Sequence, residues 1–154
     1  MPFPIWVNWR HLQTTRFQLA PRRRHPRLEA AGTGNGDPIP LDLMCDLPHV
    51  LFSPGGRITD ETGDILQALG RRRKIVATMP TFGGVFSILR KTDLLGTLPS
   101  HLLDVFEHLD DITRHPVPVD RSDINLAMLW HRRTDNAPLL KWLSLEIALC
   151  FSAR

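Results

Sequence analysis

The 154-residue chain has only two cysteines and no tyrosine, and it lacks the marks by which an enzyme or a membrane protein usually shows itself. Cys45 and Cys150 stand far apart without metal-type spacing, which suits a reducing compartment. Small buried hydrophobe is favoured over reactive thiol for both. No apolar run approaches the about 18 residues of a membrane helix, and MPFPIWVNWR has no charged-then-apolar export pattern. The expected location is therefore cytoplasmic, with no membrane partner. H-E-x-x-H, C-x-x-C, a Walker loop and the G-x-S-x-G elbow are all missing. His101, His108 and His115 recur every seven residues, but helix neighbours stand three and four apart and Pro116 ends any helix. No cofactor, metal site or catalytic set is expected.

What is present fits a soluble globular chain of one domain or two small lobes, 42% hydrophobic and 23% charged. The net charge of +3 is local, in Arg22, Arg23, Arg24 and Arg27 and in Arg71, Arg72, Arg73 and Lys74. Such runs can meet phosphates, but solvated surface is the favoured reading. Gly32-x-Gly34-x-Gly36 resembles part of a nucleotide loop, yet it follows no strand and opens no helix, so a phosphate role is disfavoured.

From His49 to Ser100 the apolar pattern alternates between strand and helix periods. Strands are expected at 49–53, 74–79 and 93–98, each ending in a turn with a hydroxyl residue. A helix follows each, opened by Thr59, Thr81 and Ser100. The first buries Ile65, Leu66 and Leu69; the second buries Phe82, Val85, Phe86 and Leu89; the third buries Leu102, Leu103, Val105, Phe106 and Leu109. Such alternation predicts an α/β fold with a parallel sheet, whose ligand cleft lies outside the strands' carboxyl ends. Residues 1–15 show no period. RFQLA reads as a strand, LDLMCDLP as a short helix, and residues 110–120 as a hinge. INLAMLWHRR reads as a strand, and Asn136 as the cap of a last helix with Leu139, Leu143 and Ile147 on one stripe.

Ser53 lies on a strand-to-helix turn, but His49 at the other end of that strand would be about 13 Å away at ~3.3 Å per residue. A small hydrolase or transferase using Ser53 or Cys45 with a histidine is thus the weaker reading. Turn hydroxyls beside helix N-termini suit the binding of a carboxylate better.

RFQLAPRRRHP, LPHVLFSPGG, ALGRRRKIVATMPTFGGVFSILRKTDLLGTLPSHL, HPVPV and MLWHRRTDNAPLLKWL, in that order, resemble the effector-binding domain of LysR-type transcriptional regulators, in the NodD-like, aromatic-responsive branch. The resemblance spans Arg16 to Phe151. It implies a fold like type 2 periplasmic binding proteins, with one nearly complete lobe plus part of the second. Residues 1–24 would be an N-terminal remnant with a first-lobe strand, 25–116 the second lobe, and 117–154 the return to the first lobe. A small carboxylated or aromatic effector would bind between the lobes. By position its contacts would be Ser53, Gly55, Gly56, Pro80, Thr81, Phe82, Thr97 and Leu98. The other implied partners are a second copy, in a homo-oligomer through effector domains, and DNA, through a helix-turn-helix that this sequence lacks. A truncated product without activity is the remaining expectation.

Overall fold

A computed structural model of the chain describes residues 3–105 and 110–152. It divides into two compact units, Arg16–Ser122 and the pair of segments Met1–Thr15 and Asp123–Arg154. The boundaries therefore fall at 15/16 and 122/123, where the sequence suggests 24/25 and 116/117. The reason lies in pairing. Phe17–Ala20 and His115–Pro116 are both strands of the larger unit's sheet.

In that unit β2 (Phe17–Ala20), β3 (Pro48–Phe52), β4 (Lys74–Met79), β5 (Leu95–Pro99) and β6 (His115–Pro116) form a five-stranded sheet of order β4-β3-β5-β2-β6. β3 runs parallel to β4 and β5, and β2 is antiparallel to β5 and β6. The carboxyl ends of β3, β4 and β5 thus share one edge, as the alternating pattern predicts. Short helices α1 (Pro26–Ala30) and α2 (Leu41–Asp46) precede β3, while α3 (Glu61–Ala68), α4 (Phe82–Leu89) and α5 (Ser100–Val105) follow β3, β4 and β5.

Side chains alternate across the sheet and give it two cores. Leu19 and Leu95 pack with Leu28, Met44, Leu47 and Leu66 on the face of α2 and α3. On the opposite face Ala20, Val50 and Leu98 pack with Val85, Phe86, Leu89 and Leu103 of α4 and α5. Gly96 fits closely there: a Cβ would stand 2.9 Å from Leu89 Cδ1, so that side chain would have to shift.

Two helix starts, those of α3 and α6, differ from the sequence reading. Thr81 caps α4, accepting from Gly84 N at 3.1 Å. For α3 the cap is Asp60, not Thr59: Asp60 Oδ1 accepts from Gly63 N at 3.0 Å. The same carboxylate pairs with Arg73, whose side chain is 3% exposed and whose Nη1 donates to Thr97 Oγ1 at 3.3 Å. One of the four residues read as solvated charge is therefore buried. Leu69, expected inside, is exposed at the C-cap beyond the last turn. Val105 is half exposed, and Phe106 and Leu109 lie outside the described residues.

The smaller unit holds β1 (Val7–Thr15) antiparallel to β7 (Ile124–His131), a 3-10 turn at Arg132–Thr134, and α6 (Pro138–Ser152). A register shift between His11 and Gln13 inserts Leu12 and resets the strand's alternation. Hence residues 7–15 form a strand although their sequence shows no period. Asn136 does not cap α6; its Oδ1 accepts from Lys141 Nζ at 3.4 Å, and the helix opens at Pro138. Leu139, Trp142 and Leu143 are exposed, while Ala148 is buried, so the expected stripe is not the inward face.

Two outcomes follow for stability. His49 is fully buried, with Nε2 on the Met44 carbonyl at 2.9 Å, and burial pushes its pKa down from 6.5 to about 4. The unfolded chain then binds the extra proton between those values. Stability is full above pH 6.5 and falls by about 3 kcal/mol as the pH drops to 4. Urea unfolding across this window measures the slope, and His49→Gln should flatten it. Separately, Asp60→Ala strands the Arg73 charge and removes the cap, costing on the order of 3–5 kcal/mol. Asp60→Asn keeps a capping oxygen, and urea melts should show it about 1 kcal/mol less damaging.

Candidate functional site

The shared edge of β3, β4 and β5 carries two turns that the backbone ties together. Ser53, the residue after β3, donates its N–H to the carbonyl of Met79 at 2.8 Å, and Met79 ends β4. Pro80 and Thr81 follow directly. Ser53 also closes its own turn, accepting from Gly56 N at 3.1 Å, with Gly56 at φ +70°. That φ suits glycine, and the turn leaves Gly55 and Gly56 exposed. Phe52 and Phe82 stack beside these turns, with centroids 3.8 Å apart and planes 17° apart. The fold thus brings Ser53, Gly55, Gly56, Pro80, Thr81 and Phe82 into one region.

The chemistry of the pair is hydrogen-bond donation beside an apolar wall. Thr81 Oγ1 accepts the capping bond from Gly84 N, which leaves its O–H free to donate outward. The helix it caps adds the partial positive charge of an N-terminus. Phe52 was not among the expected contacts. Its signal was positional: it stands immediately before the first turn, as Phe82 stands immediately after Thr81.

Thr97 and Leu98 sit differently. Thr97 is 6% exposed, and its hydroxyl accepts from Arg73 on the α3 face. Leu98 is fully buried in the core of the α4 face, so its side chain has no surface to offer.

At the first turn of α3 lies a polar network that sequence reasoning missed. Arg121 Nη1 donates to Thr62 Oγ1 at 2.7 Å, and its Nη2 donates to Glu61 Oε2 at 3.1 Å. Its guanidinium carbon lies 3.3 Å from the centroid of the Phe17 ring. Burial raises the Glu61 carboxyl, but Arg121 and the bonds from Ser122 and Arg121 outweigh it, and the pKa ends below the usual range. Burial lowers the Arg73 pKa, opposed chiefly by Asp60. The separating signal was weak, since isolated arginines in sequence look alike whether buried or solvated.

Other candidates fall away. His49 is bonded to Met44 at the end of β3 opposite Ser53. Cys45 is half-buried, and burial pushes its thiol up, away from the reactive thiolate. The Gly32–Gly36 loop spends its glycine amides internally, on Glu29, Asp37 and Arg114. Among the described residues no three His, Cys, Asp or Glu side chains gather as a metal site, and His108 lies outside them. No described helix is long and apolar enough to cross a membrane.

The chain is similar to known proteins. The chain is 32% identical over 97 residues to the HTH-type transcriptional activator NahR of Pseudomonas putida, covering 63% of this chain and 32% of that one. It is 26% identical over 134 residues to the activator NagR of Ralstonia sp, covering 87% and 42%. The chain therefore spans about a third to two fifths of these relatives' length. Both are transcriptional activators by name, and neither name points to the hydrolase or transferase reading. The fold matches the regulatory domain of MexT of Pseudomonas aeruginosa at TM-score 0.76 and 23% identity, covering 97% of this chain and 70% of that one. It also matches the effector binding domain of QuiR in complex with shikimate (TM-score 0.67, 10% identity, 97% and 67% covered) and that of BenM with its effector benzoate (0.62, 12%, 99% and 67%). These likenesses establish the α/β, type 2 periplasmic-binding-protein-like fold. The model of the LysR substrate binding domain matches residues 5–147, and the chain belongs to that family.

Proposed function

We propose that this chain is a ligand-sensing domain of a LysR-type transcriptional regulator, whose effector is a small carboxylate, aromatic or ring-bearing. The observation that carries the reading is the Ser53 N–H on the Met79 carbonyl, which sets two hydroxyl-bearing turns side by side against the Phe52–Phe82 stack. Ser53 and Thr81 donate to the carboxylate. Gly55 and Gly56 let the backbone approach, and Pro80 and Phe82 cover the ring. Thr97 and Leu98 act behind them, as the strand end that supports the turns. Benzoate and shikimate, carried by the BenM and QuiR domains, are both ring carboxylates.

In this reading Arg16–Ser122 is the second lobe, and the segments on either side contribute to the first. The whole regulator works in the cytoplasm as a homo-oligomer joined through effector domains, and it meets DNA through a helix-turn-helix.

Thermal denaturation with benzoate, shikimate and related acids tests the site. A ligand at a hundred times its Kd stabilises by about 2.7 kcal/mol, a rise in Tm on the order of 5–10 °C. A Ser53→Ala, Thr81→Ala double variant should lose most of that rise. No stabilisation by any acid in the panel, or an equal rise in the double variant, overturns the assignment.

A further inference from the structure

An apolar side of α6 faces water. Toward the β1–β7 sheet the helix turns Leu140, Ser144 and the buried Ala148, and the first two share a cavity wall with Met128 and Trp130 of β7. Lys141 and Leu145 stand at the edge of that cavity. Away from the sheet, Leu139, Trp142, Leu143, Leu145 and Leu149 each leave between 42% and 70% of their surface open. The helix carries two charged side chains, Lys141 and Glu146.

Their placement is ordered. At ~100° per residue Trp142, Leu145 and Leu149 fall within about 60° of one another. Steps of three and then four residues are those by which two helices share an apolar seam. Lys141 and Glu146 flank this seam, about 70° to either side of its centre. Among the described residues no side chain pairs with Glu146. Lys141 Nζ donates to Asn136 Oδ1 at 3.4 Å and lies near Asp135, whose carboxylate is held by Trp130 and Asn8. Opposite charges five positions apart on opposite flanks are complementary to themselves. When two such helices lie parallel, each lysine faces the glutamate of the other copy. An antiparallel pair would set lysine flank against lysine flank.

We infer that this face of α6 is a docking surface for a second copy of the chain. The two helices lie parallel about a twofold axis, with Trp142, Leu145 and Leu149 in the seam and Lys141 of each copy against Glu146 of the other. The open part of the five apolar side chains is on the order of 500 Å² per copy, and a pair of copies brings together about 1,000 Å², the lower bound for a specific interface. Association is therefore weak and reversible. The inference rests on the homo-oligomer of the proposed function, to which it gives a surface, and it does not involve Ser53 or Thr81.

Sedimentation equilibrium of the purified chain tests it, at loading concentrations from ~5 to ~500 μM, which bracket a micromolar Kd. A reversible monomer–dimer equilibrium is expected. Trp142→Lys and Leu149→Lys, both at exposed positions, place a charge in the seam and should each weaken the dimer about tenfold or more, with circular dichroism showing the variants folded. Lys141→Glu and Glu146→Lys each set like charges face to face and should weaken it several-fold, whereas the variant carrying both changes should recover wild-type association. Leu145→Cys with Cys150→Ser should oxidise to a disulfide between equal positions, which only the parallel arrangement brings together. A chain that stays monomeric throughout overturns both the seam and the homo-oligomer. A dimer that both seam variants leave as tight, a double charge variant no tighter than the single ones, or no disulfide at residue 145 overturns the seam alone. Benzoate melts of the same samples read the effector site separately.

Discussion

The parallel pairing of β3 with both β4 and β5 is the constraint on which the larger unit depends. Parallel neighbours cannot be joined by tight hairpins, so each connection must cross the sheet, and α3 and α4 are those crossings. Each crossing starts at the same edge, and the hydroxyl-bearing turns are therefore placed together by topology and not by chance contact. A register shift within β4, where His49 meets Ile75 but Val50 meets Ala77, adjusts the alignment. Val76, left over by that shift, is half exposed, and beyond it Met79 reaches the Ser53 amide.

A second set of interactions anchors the segments at the unit's boundaries. Arg121 lies at the end of the larger unit and rests on Phe17 near its beginning, while both its outer nitrogens hold the first turn of α3. Ser122 N adds a bond to Glu61 Oε1 at 3.4 Å. Two segments a hundred residues apart in sequence are thereby fixed to one helix end, the helix that follows the Ser53–Gly56 turn. A buried guanidinium that loses its carboxylate is left with an uncompensated charge, which makes the N-terminal turn of α3 a place where small changes are felt on several strands.

How much of this was legible varied with the locality of the signal. Lys74–Met79 was readable to the residue, because Gly70 and Pro80 bracket a β-branched run and Thr81 is the one cap available. At α3 two adjacent residues could cap, and the choice of Asp60 over Thr59 was decided by Arg73, thirteen positions on. RFQLA reads as a strand, but four residues cannot say which sheet they join. The strand Val7–Thr15 was hidden by its own bulge. In α6 apolar residues surround the helix, so periodicity could not name its buried face. Of the turn residues, Ser53, Gly56 and Thr81 were visible from strand ends and caps, whereas the Phe52–Phe82 stack needed coordinates.

The two units differ in what holds them. Among the described residues, the buried hydrophobic side chains belong to Arg16–Ser122 with the exception of Ala148, and they cover both faces of a five-stranded sheet. The smaller unit has two strands and a helix, with Trp6, Trp9 and Leu129 exposed on or beside the strands and Leu139, Trp142, Leu145 and Leu149 exposed on α6. A two-stranded sheet is marginal on its own in water. What order this unit has rests on polar clasps as much as on burial: Asp135 accepts from Trp130 Nε1 and from Asn8 Nδ2, bonds that draw its carboxyl below the usual range. Local opening should then start in the smaller unit and leave the larger one closed. Because both turns lie wholly on the larger unit, their geometry is set by the part of the chain with the dense core.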